Sequence, residues 1–246
     1  MLASAVRTYL NRYGVAPGKR VAVFSNNDDG WRTAKDLTAK GIDVIAVIDA
    51  RDIDPPASIP GANIYMGENV INTTGRRALR SIILASGERV QADCLAVSGG
   101  WNPNVHLTCH KRGKPKWRDD INAFVPGDNL PYGMLVAGSA NGSLSLGAAL
   151  REGTEIANDI VIELGFYAKS KTPPIASDEA QSGSSFWQVS KTRHRSWLDL
   201  QNDVTVKDIK QSFQEGFRSV EHLKRYTTLG MATDQGKTSN VLALAI

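Results

Sequence analysis

The residues best suited to chemistry lie towards the end of the chain. From Thr227 to Asn240 the sequence reads TTLGMATDQGKTSN, a loop dense in hydroxyls and amides around Lys237. It holds almost nothing that a core would take, so it is a candidate ligand loop; the alternative is a polar turn between helices. A second stretch, RVAVFSNNDDGWRTAKDLTAKGIDVIAVIDARD, has the layout of a β-α-β unit. A dinucleotide-binding fingerprint there needs three glycines at the strand-to-helix turn and an acidic residue ending the next strand. Ser25, Asn27 and Gly30 occupy the glycine positions, and Asp49 the acidic one. Side chains at the first two positions obstruct backbone approach to a pyrophosphate, and Asp28 and Asp29 repel it. The expectation is a unit that keeps the fold without binding a dinucleotide in the usual way. Two further glycine turns follow apolar runs: Gly99-Gly100, and Gly138-Ser139-Ala140-Asn141-Gly142. The second opens a helix whose N-terminus could face a phosphate; the alternative for both is tight packing that admits only small residues. The four histidines lack ligand spacing. No Ser/His/Asp or paired-carboxylate set stands out, so neither a catalytic residue nor a metal site is expected.

These residues need elements to hold them. An amphipathic helix is predicted over 2–13, with Leu2, Val6 and Leu10 on one face, broken at Pro17-Gly18. Strands are predicted over 21–24 and 44–48, with a helix over 31–40 closed by Gly41. Short strands should follow at 63–66, 68–73 and 81–85, the last turning at Ser86-Gly87-Glu88 before Val90, and another at 93–98. Residues 108–133 look like a surface excursion. A strand at 134–137 should lead through the glycine turn into a helix over 145–164 with one buried face: Leu146, Ala149, Leu150, Gly153, Ala157, Ile160 and Leu164. Residues 168–186 read as a linker. Thr205 and Asp208 have capping-box spacing, with Gly216 as the helix stop; Ser219 caps the next helix and Gly230 ends it.

Composition sets outer bounds. A hydrophobic fraction of 41% and a charged fraction of 22% describe an ordinary globular protein. The net charge of +4, from 29 basic and 25 acidic residues interspersed, gives no reason to invoke nucleic acid. No apolar run approaches the roughly 20 residues that cross a bilayer, so no membrane association is expected. Two cysteines, Cys94 and Cys109, are too few for a disulfide framework and suggest a reducing cytoplasm. The apolar ending VLALAI suggests a fragment of a longer chain.

The order of elements resembles the two-dinucleotide-domain (glutathione-reductase-like) flavoproteins, in which an NAD-domain-like unit is inserted into an FAD-type domain. LAVSGGWNPNVHL and GMLVAGSANGSLSLGAALREG resemble the two returns to that outer domain. Together with VAVFSNNDDGWRTA and the stretch from Asp199 to Asn240, they closely resemble the alpha subunits of the heterotetrameric sarcosine oxidases, over nearly the whole chain. The last stretch also resembles the small iron–sulfur domain of bacterioferritin-associated ferredoxin. Asp199, Gln201, Asp234 and Ser239 stand where its cysteines would be, so no cluster is possible.

The resemblance implies an α/β fold, a partial two-dinucleotide-domain frame followed by a small, cluster-less helical domain. The implied divisions are 1–92 (NAD-domain-like), 93–170 (the later part of the FAD-type, NAD-binding domain), 171–196 (linker) and 197–246 (helical, with a flavin-interface loop). It implies a fragment of the alpha subunit of an enzyme oxidising sarcosine to glycine with oxygen, giving peroxide and formaldehyde or methylene-tetrahydrofolate. Amine oxidation belongs to FAD in the beta subunit, so this chain carries no catalytic residue. The implied cofactors are NAD, at Gly99, Gly100, Gly138 and Ser139, and an FMN shared with the beta subunit. FMN contacts would come from Arg225, Thr227, Thr228, Gln235, Lys237 and Thr238. FAD and zinc are expected in other subunits, tetrahydrofolate in a downstream domain, and beta, gamma and delta subunits as partners. The alternatives are a non-catalytic assembly scaffold and an NAD(P)H-dependent reductase. A fragment of this kind should expose a sheet edge and an apolar face.

Overall fold

The computed structural model describes residues 1–167, 172–179, 182–192 and 194–246. Its centre is a four-stranded parallel sheet, built from β1 (Arg20–Ser25), β2 (Asp43–Asp49), β3 (Asn63–Met66) and β7 (Cys94–Ser98) in the order β3-β2-β1-β7. β1 and β2 are apolar along their length because both faces are covered. On one face lie α1 (Ala3–Tyr13) and α2 (Asp28–Ala39), whose Val6, Leu10, Trp31, Ala34 and Leu37 pack on Val21, Val23 and Val47. Burying a side chain such as Leu37 contributes about 1.5–3 kcal/mol. On the other face lies an antiparallel sheet of β4 (Val70–Thr74), β5 (Ser81–Leu84) and β6 (Arg89–Gln91). Its Ile82, Leu84 and Val90 pack on Phe24, Ala46 and Ile48.

The strand at 94–98, expected to open the second unit, belongs to this first sheet. Val21 to Ser25 pair in parallel with Cys94 to Ser98. Its alternate residues Cys94, Ala96 and Ser98 are buried, small enough to lie under α1 and α2, and they pair the edge of β1 that β2 leaves free. The boundary expected at 92/93 therefore falls just ahead of a strand of the first unit. The boundary near 170 lies outside the described residues.

After β7 the chain runs through two short 3₁₀ turns separated by a kink at His110–Lys111 (His106–Arg112), then a hairpin of β8 (Lys116–Arg118) and β9 (Ala123–Val125), mostly within the expected excursion. Residues 134–137 form no strand. Among the described residues no other strand lies beside them, and an extended segment without a ladder partner has no sheet to join. The glycine turn is a 3₁₀ turn (Gly138–Asn141), followed by α3 (Leu146–Glu163), capped by the Ser145 hydroxyl. The buried face expected for α3 is not seen. Only Gly147 is buried, and Leu146, Ile160, Ile162 and Leu164 are exposed. The periodicity marks an apolar face, but among the described residues no layer covers it.

The last unit holds a short ladder of β10 (Trp197–Asp199) and β11 (Val204–Thr205), then α4 (Val206–Gln214), α5 (Val220–Thr227) and α6 (Asn240–Ala245). Leu198, Val204, Val206, Ile209 and Leu229 form its small core. The capping box forms as its spacing predicts: the Thr205 N–H donates to the Asp208 carboxylate at 2.8 Å. Gly216 takes the left-handed conformation after α4. Ser219 has the backbone of an N-cap but makes no side-chain capping bond, and α5 ends on Thr228 (φ 62°) rather than on Gly230.

Candidate functional site

The loop between α5 and α6 is held from both sides. The Asp199 carboxylate, buried at the end of β10, accepts from the Gly230 N–H at 2.8 Å with one oxygen. The other accepts from the Gln201 and Asn202 N–H groups at 2.9 and 3.2 Å. Asp234 accepts from the Gly236 N–H at 3.0 Å and the Thr238 hydroxyl at 2.9 Å, and these bonds hold its carboxyl below the usual aspartate range. Two carboxylates thus pin the loop through hydrogen bonds. Gly236 is required: with φ +74° it lies so close to Asn240 that a Cβ would stand 2.1 Å from Oδ1.

The six residues predicted at the flavin site divide into two groups. Thr227 donates to the Leu223 carbonyl, Thr228 to the Thr227 carbonyl, Gln235 to the Ala232 carbonyl and Thr238 to Asp234. Each of these side chains spends a donor hydrogen locally; the hydroxyls keep lone pairs for a ligand, and Gln235 keeps a second amide hydrogen. Arg225 and Lys237 are exposed and make no ion pair among the described residues. Nearby in sequence, the buried Ser239 hydroxyl and Asn240 Oδ1 lack hydrogen-bond partners. These two polar groups were missed from the sequence because a serine and an asparagine in a polar loop carry no mark of burial. Two exposed cations, Arg225 on α5 and Lys237 in the loop, suit an anionic ligand.

The predicted NAD residues fare unequally. Gly99 and Gly100 are exposed beyond β7, and a Cβ on either would meet nothing within 4 Å, so packing does not demand glycine there. Gly100 needs glycine for its φ of +104°. Gly138 is buried, and a Cβ would touch that of Ala149 at 3.3 Å. Its N–H already donates to Glu152 Oε2 at 2.7 Å, and Asn141 donates to the other oxygen. Burial opposes ionisation of Glu152, but the bonds from Asn141, Gly138 and Ser143 outweigh it and hold the carboxyl below its ordinary value. The helix's own carboxylate therefore stands at the turn where a phosphate was anticipated. Ser139 is exposed.

The degenerate fingerprint is closed in detail. Asp49, expected at the ribose position, is fully buried and internally committed. Trp31 Nε1 donates to it at 2.7 Å, and Arg51 grips both its oxygens, Nε–Oδ1 at 3.0 Å and Nη2–Oδ2 at 2.7 Å. Burial works against the Arg51 charge, yet Asp49 and Asp28 hold its pKa above the ordinary value. Gly30 keeps the role of the third glycine: a Cβ would lie 2.4 Å from that of Ser25, so the helix packs directly on the strand. Cys94 is a buried thiol pushed up by that burial, while Cys109 is exposed; both are free.

Residues 193–246 match the sarcosine oxidase A3 domain. The whole chain is 42% identical, over 258 aligned positions, to the sarcosine oxidase subunit alpha of Rhizobium meliloti (strain 1021), covering 25% of that protein. It is 36% identical over 268 positions to the sarcosine oxidase subunit alpha of Corynebacterium sp. (strain U-96), covering all of this chain and 28% of that one. The chain thus spans about a quarter of the length of these relatives. The L-proline dehydrogenase of P. horikoshii shares the fold, with a TM-score of 0.69 at 21% identity, over 97% of this chain and 46% of that one. Among the described residues no helix is long and apolar enough to cross a membrane.

Proposed function

The chain is a relative of the sarcosine oxidase alpha subunits over its entire length, and from that kinship we propose that it is part of the alpha subunit of a sarcosine-oxidising enzyme. On this reading sarcosine is demethylated oxidatively to glycine, with oxygen reduced to peroxide, at flavins shared with or held by other subunits. This chain supplies binding surface and no catalytic residue. Beta, gamma and delta subunits would complete the assembly.

The observation that carries the reading is the 227–240 loop. It is pinned by Asp199 and Asp234 and carries the exposed Lys237, with Arg225 exposed on α5 just before it, and among the described residues neither cation makes an ion pair. Lys237 and Arg225 would hold the FMN phosphate, while Thr227, Thr228, Gln235 and Thr238 offer oxygens to the ring edge. FMN, once bound, supplies the electron-carrying chemistry. NAD would lie against the open Gly99-Gly100 edge and Ser139. Gly138 would contribute its left-handed turn, because its N–H is spent on Glu152. The exposed face of α3 is available for burial against another part of the assembly.

Flavin titration of the alpha–beta complex tests this. Replacing Lys237 and Gln235 together with alanine should weaken FMN retention at least tenfold, about 1.4 kcal/mol. Unchanged flavin content would remove the loop from the site.

A further inference from the structure

The segment around residues 182–189, which composition marks as linker, is built into the first unit. In open parallel sheets a ligand sits outside the carboxyl ends of the strands, where the strand order reverses. Here β2 and β3 lie on one side of β1 and β7 on the other, so that crevice opens between Ser25–Asn27 and Ser98–Gly100. Ser182–Ser184 cross it. The Asp28 N–H donates to the Ser182 carbonyl at 3.0 Å, and the Ser184 N–H to the Asn26 carbonyl at 3.0 Å. Asn26 Nδ2 donates to the Ser184 carbonyl at 2.7 Å, the Ser182 N–H to Asp28 Oδ2 at 2.8 Å, and Arg51 Nη1 to the Ser182 carbonyl at 3.0 Å. Asn27 and Gly183 form an isolated antiparallel bridge. Downstream, Phe186 packs edge-on against Phe24 at 6.2 Å, and Val189 joins the same core.

We propose that residues 182–189 are an intramolecular plug, in which the Ser182 carbonyl oxygen takes the place of a phosphate oxygen and closes the first unit to dinucleotides. The Ser182 carbonyl meets the two kinds of donor that hold a bound phosphate, the first N–H of a helix and a guanidinium. The next N–H of α2, on Asp29, is taken by Asn27 Oδ1 at 3.0 Å, and Asn27 Nδ2 reaches the Ser98 carbonyl at 3.1 Å. What remains of the crevice is a cavity of about 50 Å³ lined in part by Asn27, Gly100, Asp120 and Gly183. Ligand pockets need roughly 300–1,000 Å³, so the plug leaves space for water alone. It also ties the stretch leading into the helical unit onto the α/β unit. The outer side of Gly99 and Gly100 stays open, so the plug stands whether or not NAD binds there.

Hydrogen exchange in the alpha–beta complex, followed with and without NADH, tests the plug. The amides of Asp28, Ser182 and Ser184 should exchange roughly a hundredfold or more slowly than in an unstructured peptide, and NADH should leave that protection unchanged. In S184P/F186A, which removes one donor and the aromatic anchor, peptides covering 182–189 should exchange freely while those of β2 and β5 stay protected. The wild-type measurement decides even if that variant fails to fold. Wild-type exchange of 182–189 at the unstructured rate would overturn the proposal. Release of the segment by NADH would overturn it equally, since a displaceable segment is a gate and closes nothing permanently.

Discussion

Replacing Arg51 with methionine should strike the first unit harder than any loop change. Asp49 has no solvent exposure and Arg51 only 5%, so their pair is a buried one. The guanidinium contacts both Asp49 oxygens, Asp28 Oδ1 at 2.8 Å and the Ser182 carbonyl at 3.0 Å. Methionine fills much of the volume but leaves Asp49 with only Trp31 Nε1 and the residue 51 backbone N–H as donors. Stranding a buried charge in this way costs about 3–5 kcal/mol. At about 2–4 °C per kcal/mol for a chain of this size, Tm should fall by on the order of 10 °C. The double variant D49N/R51M removes the stranded charge and keeps an acceptor for Trp31. It should therefore return to within about 1–2 kcal/mol of wild type. Circular dichroism melts and urea titrations of wild type, R51M, D49N and the double variant, in the complex that carries the chain, measure the cycle. R51M melting within about 2 °C of wild type, or a double variant no more stable than R51M, would refute the buried-pair argument.

Two other sites give sharp expectations. Glu68 accepts from the Asn69, Ala85 and Ser86 N–H groups at 2.8, 3.1 and 3.1 Å. Partial burial opposes its ionisation, yet those bonds and the Ser86 hydroxyl hold its pKa below 4.5. Its contribution is thus present above the unfolded value and lost as pH falls through the folded one. E68Q should cost about 1–2 kcal/mol at pH 7, with a gap to wild type that narrows below pH 4.5; a gap independent of pH in urea titrations would contradict this. At Gly236 an alanine adds left-handed strain to a 2.1 Å clash with Asn240 Oδ1, together about 2–4 kcal/mol. G236A should open residues 197–246 to limited proteolysis while the α/β unit stays resistant, and unchanged cleavage would count against it.

Some features were legible in the residues because their causes are local. The period of Val6 and Leu10, the continuous apolar runs of β1 and β2, and the Thr205–Asp208 capping box each act within one turn or one strand. The absence of thiols at positions 199, 201, 234 and 239 is equally plain in the chain. The α/β character with a parallel sheet was legible too, since the order of strands and helices survives substitution of the glycines. The tertiary structure decided the rest. The apolar period of α3 is real, but burial needs a facing layer, and none of the described residues provides one. A strand at 134–137 has the right composition, yet among the described residues no ladder lies beside it. Asp49 matches a ribose-binding position in sequence, and only the side chains of Trp31 and Arg51 show it to be spent. The Ser182 carbonyl and Arg51 are 131 residues apart, as Asn26 and Ser184 are 158 apart. A backbone carbonyl has no sequence signature, because every residue carries one. Which of them meets the first N–H of α2 is settled by where the chain returns, and composition records that stretch only as a linker.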